Sequence, residues 1–222
     1  GNRLNQWFAP RNENGYGFNV PTQSFVDEFE MTDDSVYDPR LDYTVGREGM
    51  PWFSDTVLFD PEWSPATGYM QKKNLQPTSE VPVELKADGQ LNYVFIRYAD
   101  VLLMYAEALN EAGNSGMALE YLNMVRTRAR ESYLYDDQLP GHGTIPPGLL
   151  PPVESGGQNQ VRNAIRHERR VELGFEFHRY FDIIRYGPNY ANQALSDKPD
   201  FNYEEYKFFP IPQSELDTNF EL

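Results

Sequence analysis

Residues 161–186, "VRNAIRHERRVELGFEFHRYFDIIRY", hold six of the chain's fourteen arginines, four carboxylates and two of its three histidines. Ionisable groups at that density suit a metal site, general acid–base chemistry, or a helix held by ion pairs. A zinc-hydrolase helix needs two histidines four apart with a glutamate beside the first. Here His167-Glu168 is followed by Val171, so that pattern fails. Di-iron bundles use Glu and His three apart, whereas Glu176 and His178 are two apart and point to different sides of a helix. Glu168, Glu172 and Glu176 fall four apart and form a carboxylate stripe that no histidine joins. The spacing therefore assigns no metal, no cofactor and no catalytic residue. The structural alternative fits better: Ile165, Leu173, Phe177, Tyr180, Phe181 and Ile184 recur at helical spacing and predict one buried stripe. Arg169 falls inside that stripe and must be paired if buried. Glu172 and Glu176 lie near it along the helix, and Glu107 and Asp100 are offered by the helices that face it. The expectation is a single helix over 161–186, stopped by Gly187-Pro188 and tied to its neighbours by ion pairs.

The elements that position this helix follow from periodicity. Residues 96–111 place Tyr98, Val101, Leu102, Tyr105 and Leu109 on one side, Gly113 suits a helix C′ position, and Ser115 suits the cap of a second helix over 116–130. Ala106 and Ala118, one per helix, allow a close approach, so a helical hairpin is predicted whose spacing loosely matches a tetratricopeptide repeat. Before residue 90 turn formers dominate, with a short amphipathic stretch after Thr22 or Ser24 and a candidate strand at 41–45. The stretch 131–160 has five prolines and five glycines and reads as a long loop. The tail reads as extended, with a short helical turn near Ser214. The predicted division is a loop-rich region at 1–90 and a helical core at 91–222.

Composition narrows the function classes. With 19 basic against 34 acidic residues the formal charge is -15, a field that disfavours nucleic acid and anionic membrane surfaces. There is no cysteine, so disulfides and thiolate metal sites are excluded. Mean hydropathy is -0.66, and no apolar run approaches the roughly 18 residues that span a bilayer.

Several long motifs then converge. "IRYADVLLMYAEALNEAG", "LNMVRTRAR", "IRHERRVELGFEFHRYFDIIRYG" and "FFPIPQSELDTN" resemble, in the right order, the C-terminal part of the SusD/RagB-like outer-membrane nutrient-binding lipoproteins of Bacteroidetes. "NVPTQSFVDEFEM", "YDPRLDYTV" and "TGYMQKKN" look like the same family, so the resemblance covers most of the chain. It implies a mainly α-helical fold of tetratricopeptide-like hairpins (an α-α superhelix) with an extensive loop-rich region and a few short strands. It further implies non-catalytic binding of oligosaccharide or polysaccharide at the extracellular face of the outer membrane, and delivery to a SusC-like TonB-dependent transporter, with glycan or starch utilisation as the setting. A peptide-binding branch exists in such a family. The signal peptide, the lipid-bearing cysteine and the N-terminal helical repeats of that family have no counterpart here. The expectation is therefore that the N-terminal half is absent, and that membrane attachment would run only through a lipid anchor this chain lacks.

A saccharide site needs flat aromatic faces and polar groups for hydroxyls. Trp7, Trp52 and Trp63 all fall outside the helical core, and Trp52 and Trp63 share the turn-rich segment "TVGREGMPWFSDTVLFDPEWSPATGYMQKKN" with Arg47, Asp55, Asp60, Tyr69 and Lys72. The expected ligand-binding residues are Trp52, Trp63, Tyr69, Arg47, Asp55 and Trp7. The long loop, with Tyr133, Tyr135, Asp136, Asp137 and His142, is the second candidate region, read as a solvated connection that lacks calcium-loop spacing. Two other function classes stand beside glycan binding. One is a tetratricopeptide-type scaffold for peptides or proteins; only one clear hairpin is visible, where solenoids need several. The other is a glycoside hydrolase with two carboxylates.

Overall fold

The computed structural model describes residues 3–54, 56–77, 80, 89–139, 141–154 and 156–219. In chain order its elements are α1 (Leu4–Phe8), α2 (Gln23–Val26), α3 (Arg40–Thr44), β1 (Val45–Gly46), β2 (Met70–Gln71), α4 (Tyr98–Glu111), α5 (Ser115–Tyr135), α6 (Gln158–Glu172), α7 (Arg179–Arg185), α8 (Pro188–Ala194), α9 (Tyr203–Tyr206) and α10 (Gln213–Thr218). The architecture is mainly helical, as expected. Among the described residues no helix is long and apolar enough to cross a membrane. The chain forms two compact units, Gly1–Glu176 and Phe177–Leu222.

The first unit is organised by the α4–α5 hairpin. Gly113 takes φ +85°, a left-handed value that suits glycine, and Asn114 N–H returns to Leu109 O at 2.8 Å to close the turn. Ser115 does not cap α5; its hydroxyl donates to Asn110 Oδ1 at 2.7 Å. Ala106 and Ala118 are fully buried where the two helices meet, and α6 lies against both with Val161 and Ile165 in a core shared with Leu103, Leu122 and Val125. The start of α6 is fixed to the hairpin turn by reciprocal bonds: Gln158 Nε2 donates to Asn110 O (2.8 Å) and Asn110 Nδ2 to Gln158 O (3.0 Å).

The long loop differs from expectation. Its first five residues continue α5, because Ala129 and Tyr133 find apolar partners in Leu139, Leu149 and Leu150. The rest is pinned to α5: Arg126 donates to Pro151 O, Arg130 to Leu150 O, and Asn123 exchanges two bonds with Val153. The connection is largely exposed, as expected, but it is anchored at these points.

Two other expectations are corrected. The candidate strand at 41–45 is α3 followed by β1, which pairs antiparallel with β2 through Val45↔Gln71 and Gly46↔Met70. Asp38 accepts the Arg40 N–H at 3.0 Å and starts the turn, and Leu41 and Thr44, three apart, are both buried, which is helical spacing. The helix expected over 161–186 breaks after Glu172. Phe175 and Phe177 adopt φ +62° and +65°, and a Cβ at Gly174 would lie 2.3 Å from Phe25 Cζ. The chain leaves the helix where Phe25 packs onto Gly174, edge to face with Phe175 and Phe29. Ile165 and Leu173 are buried as predicted, but Phe181 is 57% exposed and Phe177 stands at the surface, so the apolar stripe does not run on as one buried face.

The ion pairs are realised more extensively than spacing alone suggested. Arg169 Nη1 meets Asp100 at 2.7 Å, both buried. The carboxylate stripe of α6 is shared among cations from elsewhere in the unit. Glu168 is bound by Arg40 and by Arg126 (3.1 Å), and Glu172 by Arg40 (2.9 Å), Arg97 (2.5 Å) and Arg128. Glu176 is bound by Arg97 (2.6 Å) and Lys73 (2.7 Å). Lys73 also donates to Glu172 O at 2.6 Å. Further out, Arg170 reaches Glu28 and Ser24, and Arg126 reaches Glu30 at 2.6 Å. Residues 24–40 and 73 of the loop-rich region are thereby fastened to α6, which holds the surfaces beside them in place.

In the second unit α7 is followed by Gly187 at φ +91° and by α8. Tyr203 OH donates to Ile184 O at 3.2 Å, and the Phe209 ring lies against Tyr180 and Phe181. The helical turn expected near Ser214 is α10.

Candidate functional site

Two clefts open in the loop-rich part of the first unit, near the short β1–β2 ladder. The first has a volume of about 280 Å³. Its apolar walls are Tyr43, Val45, Met50, Pro51, Phe53 and Leu139, and its polar groups are Asp42, Ser54, Lys72, Asp136 and Gln138. Tyr43 and Asp42 come from α3, Lys72 follows β2, and Asp136 and Gln138 come from the connection after α5. Their convergence depends on the ion pairs that dock α3 on α6. Tyr43 OH donates to Asp136, and Asp136 also accepts Gln138 N–H at 2.9 Å. Asp42 is bound by Arg47. Lys72 Nζ donates to Pro51 O at 3.2 Å and lies 5.5 Å from the centroid of the Phe53 ring. Burial and the nearby Arg47 charge hold the Lys72 ammonium below the usual lysine range, against the pull of Asp42. Burial and the bond to Asp136 push the Tyr43 phenol well above its usual range, so it serves as a donor.

The second cleft, about 400 Å³, is lined by Gln23, Asp27, Met31, Tyr37, Arg47, Glu48 and Tyr69, among others. Arg47 lies over the Tyr37 ring at 5.2 Å, and Tyr69 OH donates to Gln23 Oε1 at 2.7 Å. Of the residues expected to bind ligand, Arg47 and Tyr69 meet here.

The tryptophans are placed differently. Trp52 is only 4% exposed. It sits in a core with Phe8, Phe59, Met70 and Leu75, edge to face with Phe53 and Trp63, and its Nε1 donates to Glu13 at 3.3 Å. An indole so enclosed cannot offer a face to a sugar, so Trp52 is corrected to a core residue. Gly46 shows how tightly it is held: a Cβ there would lie 2.5 Å from the Trp52 ring and 3.0 Å from Phe59. Gly46→Ala is expected to destabilise the first unit by about 1–3 kcal/mol, as overpacking does, read as a lower thermal midpoint by tryptophan fluorescence; an unchanged midpoint would count against this packing. Trp63 packs against the same core, edge to face with Phe59. Trp7 is 45% exposed, beside Phe18 in the backbone pairing, and lines neither cleft. Asp55 lies outside the described residues.

Tyr43, Phe53 and Gln138 were not among the expected ligand contacts. Phe53 adjoins Trp52 in sequence, and nothing in "MPWFSD" tells which ring faces inward. Tyr43 and Asp136 are 93 residues apart, and only tertiary docking joins them. Among the described residues no group of three or more His, Cys, Asp or Glu side chains is arranged to hold a metal ion.

Comparison with known proteins adds to this geometry. The chain is 38% identical over 148 residues to the SusD-like protein P2 of Formosa agariphila, covering 61% of this chain and 25% of that one. It is 30% identical over 213 residues to the SusD-like protein P25 of the same organism, covering 93% of this chain and 34% of that one. Among solved structures it matches a SusD superfamily protein from Bacteroides vulgatus with a TM-score of 0.70 and 25% identity, over 96% of this chain and 45% of the other. It matches a SusD-like carbohydrate binding protein from Bacteroides fragilis with a TM-score of 0.68 and 24% identity, over 98% and 50%. The chain thus spans about a quarter to a third of those sequence relatives and about half of those structures. The model of the SusD family matches residues 1–222, the whole of the sequence, and the chain belongs to that family.

Proposed function

We propose that this protein binds oligosaccharide without cleaving it, at the extracellular face of the outer membrane, and delivers it to a SusC-like TonB-dependent transporter. Membership of the SusD family supports the general reading, and one structural neighbour is itself described as a carbohydrate binding protein. The observation that carries it to particular residues is the Tyr43–Phe53 cleft, where two aromatic side chains stand among an ammonium, an amide, a hydroxyl and two carboxylates. Its volume lies just below the ~300–1,000 Å³ usual for ligand sites and suits one sugar ring of a longer chain. Both carboxylates are already committed, Asp42 to Arg47 and Asp136 to Tyr43, which suits hydroxyl recognition better than acid–base work. The cleft lined by Arg47 and Tyr69 is the adjoining candidate subsite.

Affinity electrophoresis against a panel of polysaccharides, with product analysis, tests the reading: retardation without cleavage is expected. Tyr43→Ala and Phe53→Ala are each expected to weaken binding by about tenfold, since a lost aromatic contact is worth roughly 1 kcal/mol or more. Trp52→Ala should act on folding instead. Parental affinity in both cleft variants would remove this cleft from the function.

A protein-binding scaffold is the second reading, favoured by one observation. The outer face of the α4–α5 hairpin exposes Val101, Met104, Tyr105, Met117 and Met124. Neither retardation nor cleavage in the same panel would favour it.

A further inference from the structure

We propose that the Tyr43–Phe53 cleft selects a saccharide unit bearing a single acid group, a uronate or a sulfate ester, and that Lys72 receives that group. The proposal rests on the carbohydrate-binding reading of the same cleft and adds the class of sugar. It stands first on how the charges of the cleft are used. Asp42 is bound by Arg47, and Asp136 accepts from Tyr43 OH and from Gln138 N–H. Among the described residues no carboxylate comes within ion-pair distance of Lys72; its polar partner is a neutral one, Pro51 O at 3.2 Å. An ammonium has three donors, so Lys72 reaches the cleft with donors to spare and no carboxylate bonded to it, Asp42 acting on it only from beyond ion-pair distance. Its partly desolvated setting, noted above, penalises the lone charge, and a bound anion would relieve that penalty.

A second, independent observation is the backbone at Phe53. It adopts φ +54°, a left-handed conformation that costs a bulky residue free energy. That conformation sets the ring beneath the Lys72 ammonium in the cleft wall. A cation held over an aromatic ring in the cleft wall offers its donors to an acid substituent on a pyranose seated in the cleft. Asp42 and Asp136 line the same cleft, so a second acid group on the unit would face carboxylates and not a cation. The wanted unit has one acid group toward Lys72 and neutral hydroxyls toward Asp136 and Gln138. The overall charge of -15 opposes anions only weakly at this range, because screening at physiological salt acts over about 8 Å.

The test is calorimetric titration of the protein with three matched probes: neutral galactotetraose, tetragalacturonate and a sulfated galactotetraose. One acidic probe is expected to bind about tenfold or more tighter than the neutral one, as a charge-assisted contact provides. The advantage should shrink in high salt, and the two acidic arms identify carboxylate or sulfate as the preferred group. Lys72→Met should erase the advantage of the acidic probe over the neutral one, whereas Lys72→Arg should keep it. Both variants are checked for the parental unfolding midpoint. Equal or tighter binding of the neutral probe, or an acid preference that survives in Lys72→Met, overturns the proposal and leaves carbohydrate binding standing. No binding to these probes or to any polysaccharide of the panel overturns both.

Discussion

Arg40→Met is expected to lower the unfolding free energy of the first unit by about 3–5 kcal/mol, the usual cost of removing one partner from a buried ion network. The Arg40 guanidinium serves three buried carboxylates at once. It makes bonds of 3.0, 3.1 and 2.7 Å to Asp38, another of 2.9 Å to Glu172, and one to Glu168. Methionine fills the space of the stem but supplies no charge. Glu168 would keep Arg126, and Glu172 would keep Arg97 and Arg128, so these two lose only part of their compensation. Of its hydrogen bonds to the described residues Asp38 would keep the one from the backbone N–H of residue 40, and it bears most of the loss. Arg40→Met combined with Asp38→Asn should therefore recover part of the stability, because the orphaned charge is gone. Urea unfolding followed by tryptophan fluorescence reads this unit alone, since Trp7, Trp52 and Trp63 all lie in it. A loss below about 1 kcal/mol with an unchanged denaturant slope would show that the network is not the link between α3 and α6. Because Tyr43 and Asp42 sit on α3, the same variant should weaken glycan binding more than its distance from the cleft suggests.

How much of this was legible in the sequence depends on how far each feature reaches along the chain. The Thr22 cap of α2, the Gly113 turn and the Ala106–Ala118 approach were legible because each is a local or nearest-neighbour requirement. So was the pairing of Arg169, since a cation inside an apolar stripe must find a carboxylate, and Asp100 was in reach. The break after Glu172 was not. The apolar spacing continues through Gly174, and what stops the helix is Phe25, brought to it from a remote part of the chain. The tryptophans misled for a related reason. In a segment without periodicity an indole looks the same whether it forms the core of a loop cluster or a surface platform, and Trp52 forms the core. Arg47 and Tyr69 were foreseen as ligand contacts and do meet in one cleft, but Tyr43, Phe53 and Lys72 meet Asp136 and Gln138 only through tertiary docking. The stretches that carry the resemblance, by contrast, contain the ion-paired residues Asp38, Arg40, Lys73, Arg97, Asp100, Arg126, Glu168, Arg169 and Glu172, and not the cleft residues Phe53, Asp136 and Gln138.

The same network makes a second large effect, in acid. Burial alone would raise the pKa of Glu172, but Arg40, Arg128 and Arg97 outweigh it and hold the carboxyl at about 2, against 4.5 for the free group. A folded-state pKa below the unfolded one means that the unfolded chain takes up the proton first. The stabilisation is therefore complete above about pH 4.5 and is lost as pH falls from there through about 2. The difference corresponds to about 3 kcal/mol at neutral pH, taking roughly 1.4 kcal/mol per pKa unit. Glu176, whose burial is likewise outweighed by Arg97 and Lys73, shifts in the same direction and deepens the slope. The expected result is a steep fall in unfolding free energy across that window. Glu172→Gln should be less stable at about pH 7, by an amount similar to the buried-pair cost, and its profile should be visibly flatter between about pH 4.5 and 2. The exposed pair Glu111–Arg162 supplies the control. Glu111→Gln should change stability by less than about 1 kcal/mol and leave the acid slope intact. If Glu172→Gln follows the parent through the whole acid range, the three arginines are not stabilising its charge, and the docking of α6 must rest on the apolar contacts of Val161 and Ile165 with the hairpin.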